Sequence, residues 1–354
     1  MRNIKFYQAI REAQEQLIKS NKNVMIMGLG VNDPKGIFGT TQGLSKKFGQ
    51  KRILETPTSE NAVTGVAIGA SMMGLRPILT HQRVEFSLLS IEQIVNQAAK
   101  WNFMSAGEFK TPIVIRLIIG KGWGQGPQHS QSLESIFAHI PGLKVVAPSS
   151  AKDAKGLLIS SVKDDMPVIF FEHRWLHNIN GNVPKKLYSI PIGKAKIIQK
   201  GKDLTIVSFS EALIQVLRLK KILKKTGISA EIIDLRSLRP IDKKCILKSV
   251  KKTKKLLVVD NGWKSFGVSA EIISIVSEKI RFLKVKPVRL GVKEIPIPST
   301  RALARECYLN SNVIFDKIIQ ITKKRTKKKL KKRLLTNLTL EETDVPYKDF
   351  QGPF

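Results

Sequence analysis

The apolar residues of this chain follow two patterns, a helical spacing of three to four residues and short continuous runs bounded by turn residues. One face of the segment from residue 4 to 19 is apolar, with Phe6, Ile10, Ala13 and Leu17. The next apolar run, residues 23–27, is short and ends at Gly28. The first pattern predicts a helix and the second a buried strand.

The same alternation continues through most of the chain. It predicts strands at 75–79, 112–119, 143–147, 168–172, 203–209, 230–234, 255–260 and 286–290. It predicts helices at 40–48, 62–73, 87–104, 133–139, 151–163, 211–225, 242–250, 267–279 and 314–321. Strands that alternate with helices indicate parallel sheets covered on both faces. The predicted fold class is therefore α/β, with two three-layer α/β/α domains and mainly parallel sheets.

A loop-like stretch rich in Asn, Gly and Pro separates the two alternating regions. We therefore predict a first domain at 1–175, a linker at 176–190, a second domain at 191–322 and a tail at 323–354. The length of 354 residues agrees with this division, because it exceeds the usual size of a single core.

Composition narrows the protein class. The chain has no run of eighteen apolar residues, and its N-terminus, MRNIKFYQAIREAQEQ, is too polar for a secretory signal. We expect a cytoplasmic protein without a membrane partner. The two cysteines, Cys245 and Cys307, form neither a disulfide framework nor a zinc pattern.

The formal charge of +33 raises the hypothesis of a polyanion partner. Most of the lysines are spread over predicted helix surfaces, which is typical of solvated faces and argues against nucleic acid. The one dense basic run, KKRTKKKLKKR, occupies 323–333 in a tail expected to be flexible. A non-catalytic protein whose tail binds nucleic acid or an acidic partner stays as a minor alternative.

Candidate chemistry lies just after predicted strands, where ligands bind in parallel sheets. Glu60, the segment 81–86 and the glycine-rich loop 120–129 all have this placement. The loop matches neither a phosphate-binding nor a dinucleotide-binding glycine pattern. Taken alone, Glu60 could be a first-turn carboxylate favoured by the helix dipole. His129 could equally be a structural histidine or a group that moves protons near neutral pH.

Several segments in order resemble the beta subunit of the thiamine-diphosphate-dependent decarboxylating component of 2-oxoacid dehydrogenase complexes, within the transketolase superfamily. The segments are ETPTSENAVTGVAIGASMMGLRPI, FSLLSIEQIVNQAAK, QHSQS, PGLKVVAPSSAKDAKGLLISSVKDDMPVIFFE, IPIGKAKI, LRSLRPID and VVDNGWKSFGVSAEI. The resemblance runs from about residue 2 to 322 and implies a pyrimidine-binding domain followed by a transketolase C-terminal domain.

The resemblance implies roles for three side chains. Glu60 matches the glutamate that hydrogen-bonds the aminopyrimidine of thiamine diphosphate, and Phe86 matches the aromatic residue on the face of that ring. His129 matches the active-site histidine implied in proton transfer or in holding the substrate carboxylate. On sequence alone, Phe86 could also be a core residue at the start of a helix.

The resemblance also implies ions and partners. A structural potassium ion would be bound by backbone carbonyls at positions that match Ile113, Val162, Asp164 and Met166. Magnesium would be held by an alpha subunit that carries a GDG...N motif, which this chain lacks. The expected assembly is α2β2, with thiamine diphosphate shared between the subunits, a small 2-oxo acid as substrate and a lipoyl acyltransferase as a further partner.

Departures from the family pattern leave the substrate open. The segment 81–86 reads HQRVEF where the family is largely apolar, so His81 and Arg83 are candidate pocket residues. Arg83 could bind an anionic substrate group or pair with Glu85, and the pair is the safer expectation. Trp123 and Gln125 replace smaller residues and are also pocket candidates. The alternative function is a split transketolase-like carboligase, in which an aldehyde or ketone replaces the lipoyl group as acceptor.

Overall fold

The computed structural model describes residues 2–122 and 124–324. Trp123 and residues 325–354 of the predicted tail therefore lie outside the described residues. The described strands, in chain order, are β1 (Arg2–Lys5), β2 (Val24–Gly28), β3 (Ile53–Glu55), β4 (Arg76–His81), β5 (Val114–Ile119), β6 (Lys144–Val146), β7 (Val168–His173), β8 (Asn180–Val183), β9 (Lys196–Gln199), β10 (Leu204–Ser208), β11 (Ala230–Asp234), β12 (Ser237–Arg239), β13 (Leu256–Trp263) and β14 (Val288–Val292).

The described helices are mostly amphipathic segments between these strands. They are α1 (Phe6–Ser20), α2 (Leu44–Phe48), α3 (Glu60–Met72), α4 (Trp101–Met104), α5 (Gly126–His129), α6 (Glu134–His139), α7 (Ala151–Lys163), α8 (Ser210–Arg218), α9 (Lys220–Lys225), α10 (Lys243–Thr253), α11 (Val268–Lys279), α12 (Arg301–Ala304) and α13 (Ser311–Thr322). Short 3₁₀ segments lie at Val84–Ser90 and Arg174–Leu176.

The first sheet has seven strands in the order β12-β6-β7-β5-β4-β2-β3, and only the β12–β6 pair is antiparallel. Its central strand β5 is buried along its whole length. Leu117 belongs to the hydrophobic cluster on one face, and Ile118 belongs to the cluster on the other. Burial of both faces explains why the strand is a continuous apolar run.

A charged residue interrupts that run without breaking the core. Arg116 is fully buried, and its Nε lies 2.5 Å from Oε1 of Glu172 on the neighbouring strand β7. Its Nη2 donates to Thr40 Oγ1 at 2.9 Å, which ties down the loop after β2. The buried charge is therefore both paired and hydrogen-bonded, as a charge in a protein interior must be.

The second sheet has five strands in the order β14-β13-β10-β11-β9. Three of its pairs are parallel and the β11–β9 pair is antiparallel. The two mainly parallel sheets confirm the predicted α/β fold class. One hydrophobic cluster contains residues of both sheets, such as Leu117 and Val207, so the two halves pack directly against each other.

Two strand pairs join segments that the sequence pattern assigns to different parts of the predicted domain division. Strand β12, from the second alternating region, joins the edge of the first sheet beside β6. Strand β8 lies inside the segment predicted as a linker and pairs antiparallel with β1. The segment 176–190 is therefore partly ordered by the N-terminus of the chain.

Two predicted helices differ from the structure. The predicted helix 211–225 is divided at Leu219 into α8 and α9. Residues 87–104, predicted as a single helix, form instead the 3₁₀ segment Val84–Ser90, a π-helical segment Gln93–Ala98 and the short α4. The hydroxyls of Ser87 and Ser90 donate to carbonyls three residues earlier, at 2.6 and 3.1 Å. Such serine bonds compete with regular helix bonds and favour the tighter 3₁₀ turn. Throughout the described ranges, every helix is too short or too polar to cross a bilayer.

Candidate functional site

The loops after four parallel strands meet at one edge of the first sheet. Strands β2, β4, β5 and β7 all end there, because they run in the same direction. The loop after β2 carries Phe38, the segment after β4 carries residues 82–86, and the loop after β5 carries Gln125 and His129. We call this the carboxyl edge, and it is where parallel sheets bind ligands.

Glu60 is the first residue of α3 and is half-buried. Together with Leu29, His81, Gln82 and Phe86 it lines a cavity of about 30 Å³, roughly the volume of one water molecule. Within the described part of the chain, the Glu60 carboxylate has no hydrogen bond or ion pair. Ser59 holds the N-terminal cap position of α3, although its side chain makes no cap hydrogen bond.

His81 ends β4 and is buried beside Glu60 in the same cavity. Its Nε2 lies 3.5 Å from the hydroxyl of Thr64 on α3. Burial lowers the pKa of His81 to about 4, because the interior disfavours the charged imidazolium. His81 is therefore neutral at physiological pH and can take part only in neutral hydrogen bonding.

Phe86 and His129 are in contact at the carboxyl edge. Their ring centroids lie 5.9 Å apart with an interplanar angle of 78°, an edge-to-face arrangement. His129 ends α5, and its Nδ1 forms a short contact with Oε1 of Glu85. The structure thus brings Glu60, Phe86 and His129 to one site, with Glu85 behind the imidazole.

Arg83 does not make the expected pair with Glu85. Its Nε donates to Oε1 of Gln125 at 3.1 Å, and its Nη1 donates to the carbonyl of Gln82 at 3.0 Å. The expectation of an Arg83–Glu85 pair is wrong, because the Glu85 carboxylate turns toward His129 instead. Two pocket candidates, Arg83 and Gln125, are therefore bonded to each other. Of the other two pocket candidates, His81 lines the Glu60 cavity and Trp123 lies outside the described residues.

The glycine-rich loop after β5 is held by the second half of the molecule. Lys121 Nζ lies 2.9 Å from Oε2 of Glu211 on α8, and both side chains are buried. The ammonium also lies 4.4 Å from the ring centroid of Trp175 and 4.9 Å from that of Tyr308. Farther along the loop, Gly126 has a φ of +68° and packs against Ser299. We call Lys121, Glu211, Trp175 and Tyr308 the interdomain clamp.

The four expected potassium-binding positions lie at the opposite edge of the first sheet. Ile113 precedes β5, and the other three positions end α7 or precede β7. The carbonyls of Val162 and Asp164 both accept from Arg76 Nη1, at 2.7 and 3.0 Å. The carbonyl of Ile113 accepts from the amide of Val168, and the amide of Met166 donates to the Asp164 carboxylate.

The two carbonyls that share Arg76 Nη1 converge on a positive charge, which is the arrangement that a bound cation requires. Arg76 takes one lone pair of each oxygen and leaves the other. A potassium ion on these two carbonyls would therefore share them with a guanidinium. The potassium ion stays a prediction.

Sequence patterns missed the role of Glu85 and the whole interdomain clamp. Glu85 lies in the polar segment HQRVEF, and the sequence predicts Arg83 as its partner where the structure has His129. Lys121 and Glu211 are 90 positions apart, so no local spacing connects them. The only local signal was a lysine inside a glycine-rich loop, where a buried charge needs a distant partner.

The helix that begins at Glu60 has an exposed apolar face. Ala62, Val66, Gly69 and Met73 follow each other at helical spacing on its outer side. Val66 is 62% exposed and Met73 is 84% exposed. A Cβ added to Gly69 would meet no atom within 4 Å, so this face is open to a close approach from outside. We call these four residues the outer α3 face.

Comparisons with known proteins agree with this architecture. Residues 2–178 match the family of transketolase pyrimidine-binding domains, and residues 193–314 match that of transketolase C-terminal domains. The beta-1 subunit of the mitochondrial pyruvate dehydrogenase E1 component of Oryza sativa subsp. japonica is 40% identical over 303 residues, which cover 84% of this chain and 81% of the rice protein. The beta subunit from Rickettsia felis is 41% identical, covering 82% of this chain and 90% of its own.

A red-algal relative and a solved structure extend the comparison. The E1 beta subunit of Porphyra purpurea is 38% identical over 322 residues, 91% of this chain and 97% of its own. A split-gene transketolase, described as an inactive beta4 tetramer, superimposes with a TM-score of 0.75 at 20% identity and covers 91% of this chain and 99% of that chain. At that identity the superposition shows the shared fold.

Proposed function

The chain belongs to the family of pyruvate dehydrogenase E1 beta subunits, and from this premise we propose that it forms one wall of a thiamine diphosphate site that decarboxylates a 2-oxo acid. In this proposal residues 1–175 are the pyrimidine-binding domain and residues 191–322 the C-terminal domain. The acyl group passes to a lipoyl carrier. The observation that carries the proposal is the half-buried carboxylate of Glu60 beside Phe86 at the carboxyl edge, which no described residue pairs or hydrogen-bonds.

Glu60 and Phe86 fit the aminopyrimidine of thiamine diphosphate. Glu60 offers a carboxylate to a weakly basic ring nitrogen, and Phe86 offers an aromatic face to a flat ring. Thiamine diphosphate, when bound, supplies the carbon nucleophile and stabilises the carbanion left by decarboxylation. Glu60 would contribute by sharing a proton between its carboxylate and that ring nitrogen.

His129 is the second proton-handling group of the proposal. Because Nδ1 of His129 faces the Glu85 carboxylate, the proton lies on Nδ1 and the lone pair is left on Nε2. Nε2 is then the atom that accepts a proton from the substrate or donates a hydrogen bond to its carboxylate when protonated. Glu85 fixes the tautomer and the ring orientation, as the buried carboxylate does in other acid–base pairs.

The site needs a second chain. The sequence has no GDG motif, so we propose that an alpha-type subunit carries that motif, holds magnesium and the diphosphate, and forms an α2β2 assembly with this chain. The outer α3 face supports this partner, because it is apolar and exposed and lies on the helix that begins at Glu60. A partner that covers it would close the cofactor site at the same time.

A second candidate function is a split transketolase-like carboligase, which uses the same cofactor and passes the acyl carbanion equivalent to an aldehyde or ketone. The polar segment after β4 favours it, since His81, Gln82 and Arg83 supply hydrogen-bonding groups where the 2-oxoacid dehydrogenase pattern is apolar. Lipoyl dependence separates the two functions. Turnover only with a lipoyl domain supports the dehydrogenase, and turnover with aldehydes alone supports the carboligase.

The Glu60→Gln variant tests the assigned role. In the complex with an alpha-type subunit, we expect the variant to lose about 100-fold or more in 2-oxo acid decarboxylation, because an amide cannot share a proton in this way. Assembly, followed by size-exclusion chromatography, should be unchanged. The matched control is Glu108→Gln, an exposed glutamate. Near-normal turnover of the Glu60 variant would sink the proposal.

A further inference from the structure

Arg83 is a buried arginine at the carboxyl edge, and within residues 2–122 and 124–324 no carboxylate is hydrogen-bonded to it. It follows Gln82, which lines the Glu60 cavity, and its side chain is only 8% exposed. The guanidinium has five N–H donors. Two of them are used, one by Oε1 of Gln125 and one by the carbonyl of Gln82. Three donors are left for a ligand.

Both of these acceptors are neutral. Over residues 2–122 and 124–324, no Asp or Glu forms an ion pair with Arg83. Burial lowers the pKa of Arg83, and the charge of nearby Glu85 raises it only in part. A buried cation bonded to neutral groups alone is costly, and an anion would remove that cost.

A second guanidinium lies beside the same aromatic ring. The central guanidinium carbon of Arg83 is 5.1 Å from the ring centroid of Phe38, and that of Arg174 is 4.5 Å from it. Arg174 directly follows β7 and is 6% exposed. Arg174 has interactions of its own, and its contribution here is its positive charge. The distance between the two guanidinium carbons is therefore at most the sum of their distances to the Phe38 centroid.

The position of this cluster limits what it can bind. The loop that carries Phe38 is anchored by Thr40, whose hydroxyl accepts from Arg116 and whose carbonyl accepts from Gln14. Gln125 lies on the same loop as His129. The two acceptors of Arg83 therefore belong to the loop of His129 and to a residue that lines the Glu60 cavity, which puts Arg83 next to the proposed site.

We propose that Arg83, reinforced by Arg174, binds a second oxyanion of the substrate, in addition to the carboxylate that every 2-oxo acid carries. The inference rests on the proposed function and specifies its substrate class. A carboxylate or a phosphate both match the guanidinium fork. The two sources are a dicarboxylic 2-oxo acid as donor and a phosphorylated aldehyde as acceptor.

The test compares substrates that carry the second oxyanion, called charged here, with substrates that lack it, called neutral here. Both are assayed in the complex with an alpha-type subunit. The donor pair is 2-oxoglutarate and 2-oxohexanoate, and the acceptor pair is a sugar aldehyde with and without its phosphate. Removing a charge-assisted hydrogen bond lowers affinity about 10- to 100-fold. We expect Arg83→Met to lower kcat/KM by this factor for the charged member of one pair and less than about threefold for its neutral partner. Arg83→Lys should recover part of the loss.

The pair that responds identifies the source of the oxyanion. An equal loss for charged and neutral substrates, or no loss for either, would overturn the proposal, since a merely structural arginine does not discriminate by substrate charge. Unchanged circular dichroism and melting of Arg83→Met exclude misfolding, and Arg83→Gln provides a second neutral variant if Met does not fold.

A binding measurement separates this inference from the proposed function. Glutarate and inorganic phosphate are titrated into the full chain by calorimetry. If the complex decarboxylates no 2-oxo acid but wild-type chain binds one of these anions and Arg83→Met does not, the proposed function fails and the oxyanion site stands. If the wild-type chain binds neither anion and the kinetic ratios do not change, the oxyanion site fails whatever the reaction is.

Discussion

The interdomain clamp makes a quantitative prediction for Glu211→Gln. In the wild-type protein Lys121 Nζ lies 2.9 Å from the Glu211 carboxylate, and both groups are buried. The variant keeps a hydrogen-bonding side chain of nearly the same size but leaves the ammonium without its counter-charge. Since the clamp joins the glycine-rich loop to α8, the loss should appear both in stability and in the order of that loop.

The magnitude follows from the burial of the pair. Removing one partner of a buried ion pair costs about 3–5 kcal/mol, because an uncompensated charge remains inside. The rings of Trp175 and Tyr308 stay beside the ammonium and contribute about 0.5–2 kcal/mol each through cation–π contact. We therefore expect a loss near the lower limit, about 3 kcal/mol. In the double variant Lys121→Met with Glu211→Gln no charge is buried, and we expect stability within about 1 kcal/mol of wild type.

The pH dependence provides an independent check. Burial raises the pKa of Glu211, but Lys121, His173 and the hydrogen bond from Gln215 together lower it by more, so the pKa of folded Glu211 lies below its ordinary value of 4.5. The carboxylate therefore contributes stability above pH 4.5, and the contribution is lost as the pH falls through the folded-state pKa. The difference between wild type and Glu211→Gln should be full at pH 7 and shrink below pH 4.5.

Urea denaturation of the full chain measures these differences, with Glu278→Gln, an exposed glutamate on α11, as the matched control. Hydrogen exchange at the amide of Gly122 reports the order of the loop, since this amide donates to the Tyr308 hydroxyl at 3.3 Å. A change below about 1 kcal/mol for Glu211→Gln, or a double variant whose loss equals the sum of the single losses, would refute the account of the clamp.

Further predictions concern the outer α3 face, the carbonyls of Val162 and Asp164 that bind Arg76, and the buried His81. Val66→Asp on the outer α3 face should abolish association with the alpha-type subunit in size-exclusion chromatography without lowering the melting midpoint of the chain alone, whereas Lys221→Asp should leave association intact. The melting midpoint should be higher in KCl than in NaCl at equal concentration if potassium joins the carbonyls at Arg76, as we expect. Equal midpoints would show that Arg76 supplies the cation for these carbonyls. The ring protons of His81 should not shift between pH 8 and pH 5.5 in an NMR titration, because burial lowers its pKa to about 4; a midpoint near 6.5 would contradict its neutral state.

Much of the fold could be predicted because local signals and tertiary packing agree in most elements. The helix α7 begins and ends as predicted, since the hydroxyl of Ser150 accepts from the amide of Asp153 and defines the first turn. Strand β11 also matches its predicted bounds, because it is buried along its whole length and its central residues, Ile232 and Ile233, pack into the hydrophobic clusters on opposite faces of the sheet. Agreement fails at residues 87–104, where serine hydroxyls compete for backbone carbonyls.

The site was less predictable because its contacts depend on which loops meet. Glu60, Phe86 and His129 were identified through the resemblance, and the structure brings them to one edge of the sheet. The partner of Glu85 could not be predicted, since both Arg83 and His129 are reachable from it and the choice depends on how the loop after β5 folds back. That loop approaches so closely that a Cβ at Gly120 would lie 2.2 Å from the carbonyl oxygen of His129.

The central claim is that this chain holds only part of a catalytic site and that Glu60 works together with a second subunit. The most direct measurement is 2-oxo acid decarboxylation with thiamine diphosphate and magnesium, first by the purified chain alone and then after addition of an alpha-type subunit with a GDG...N motif. We predict no turnover by the chain alone and turnover by the mixture that depends on both proteins. Robust decarboxylation by the chain without any added subunit would contradict the account.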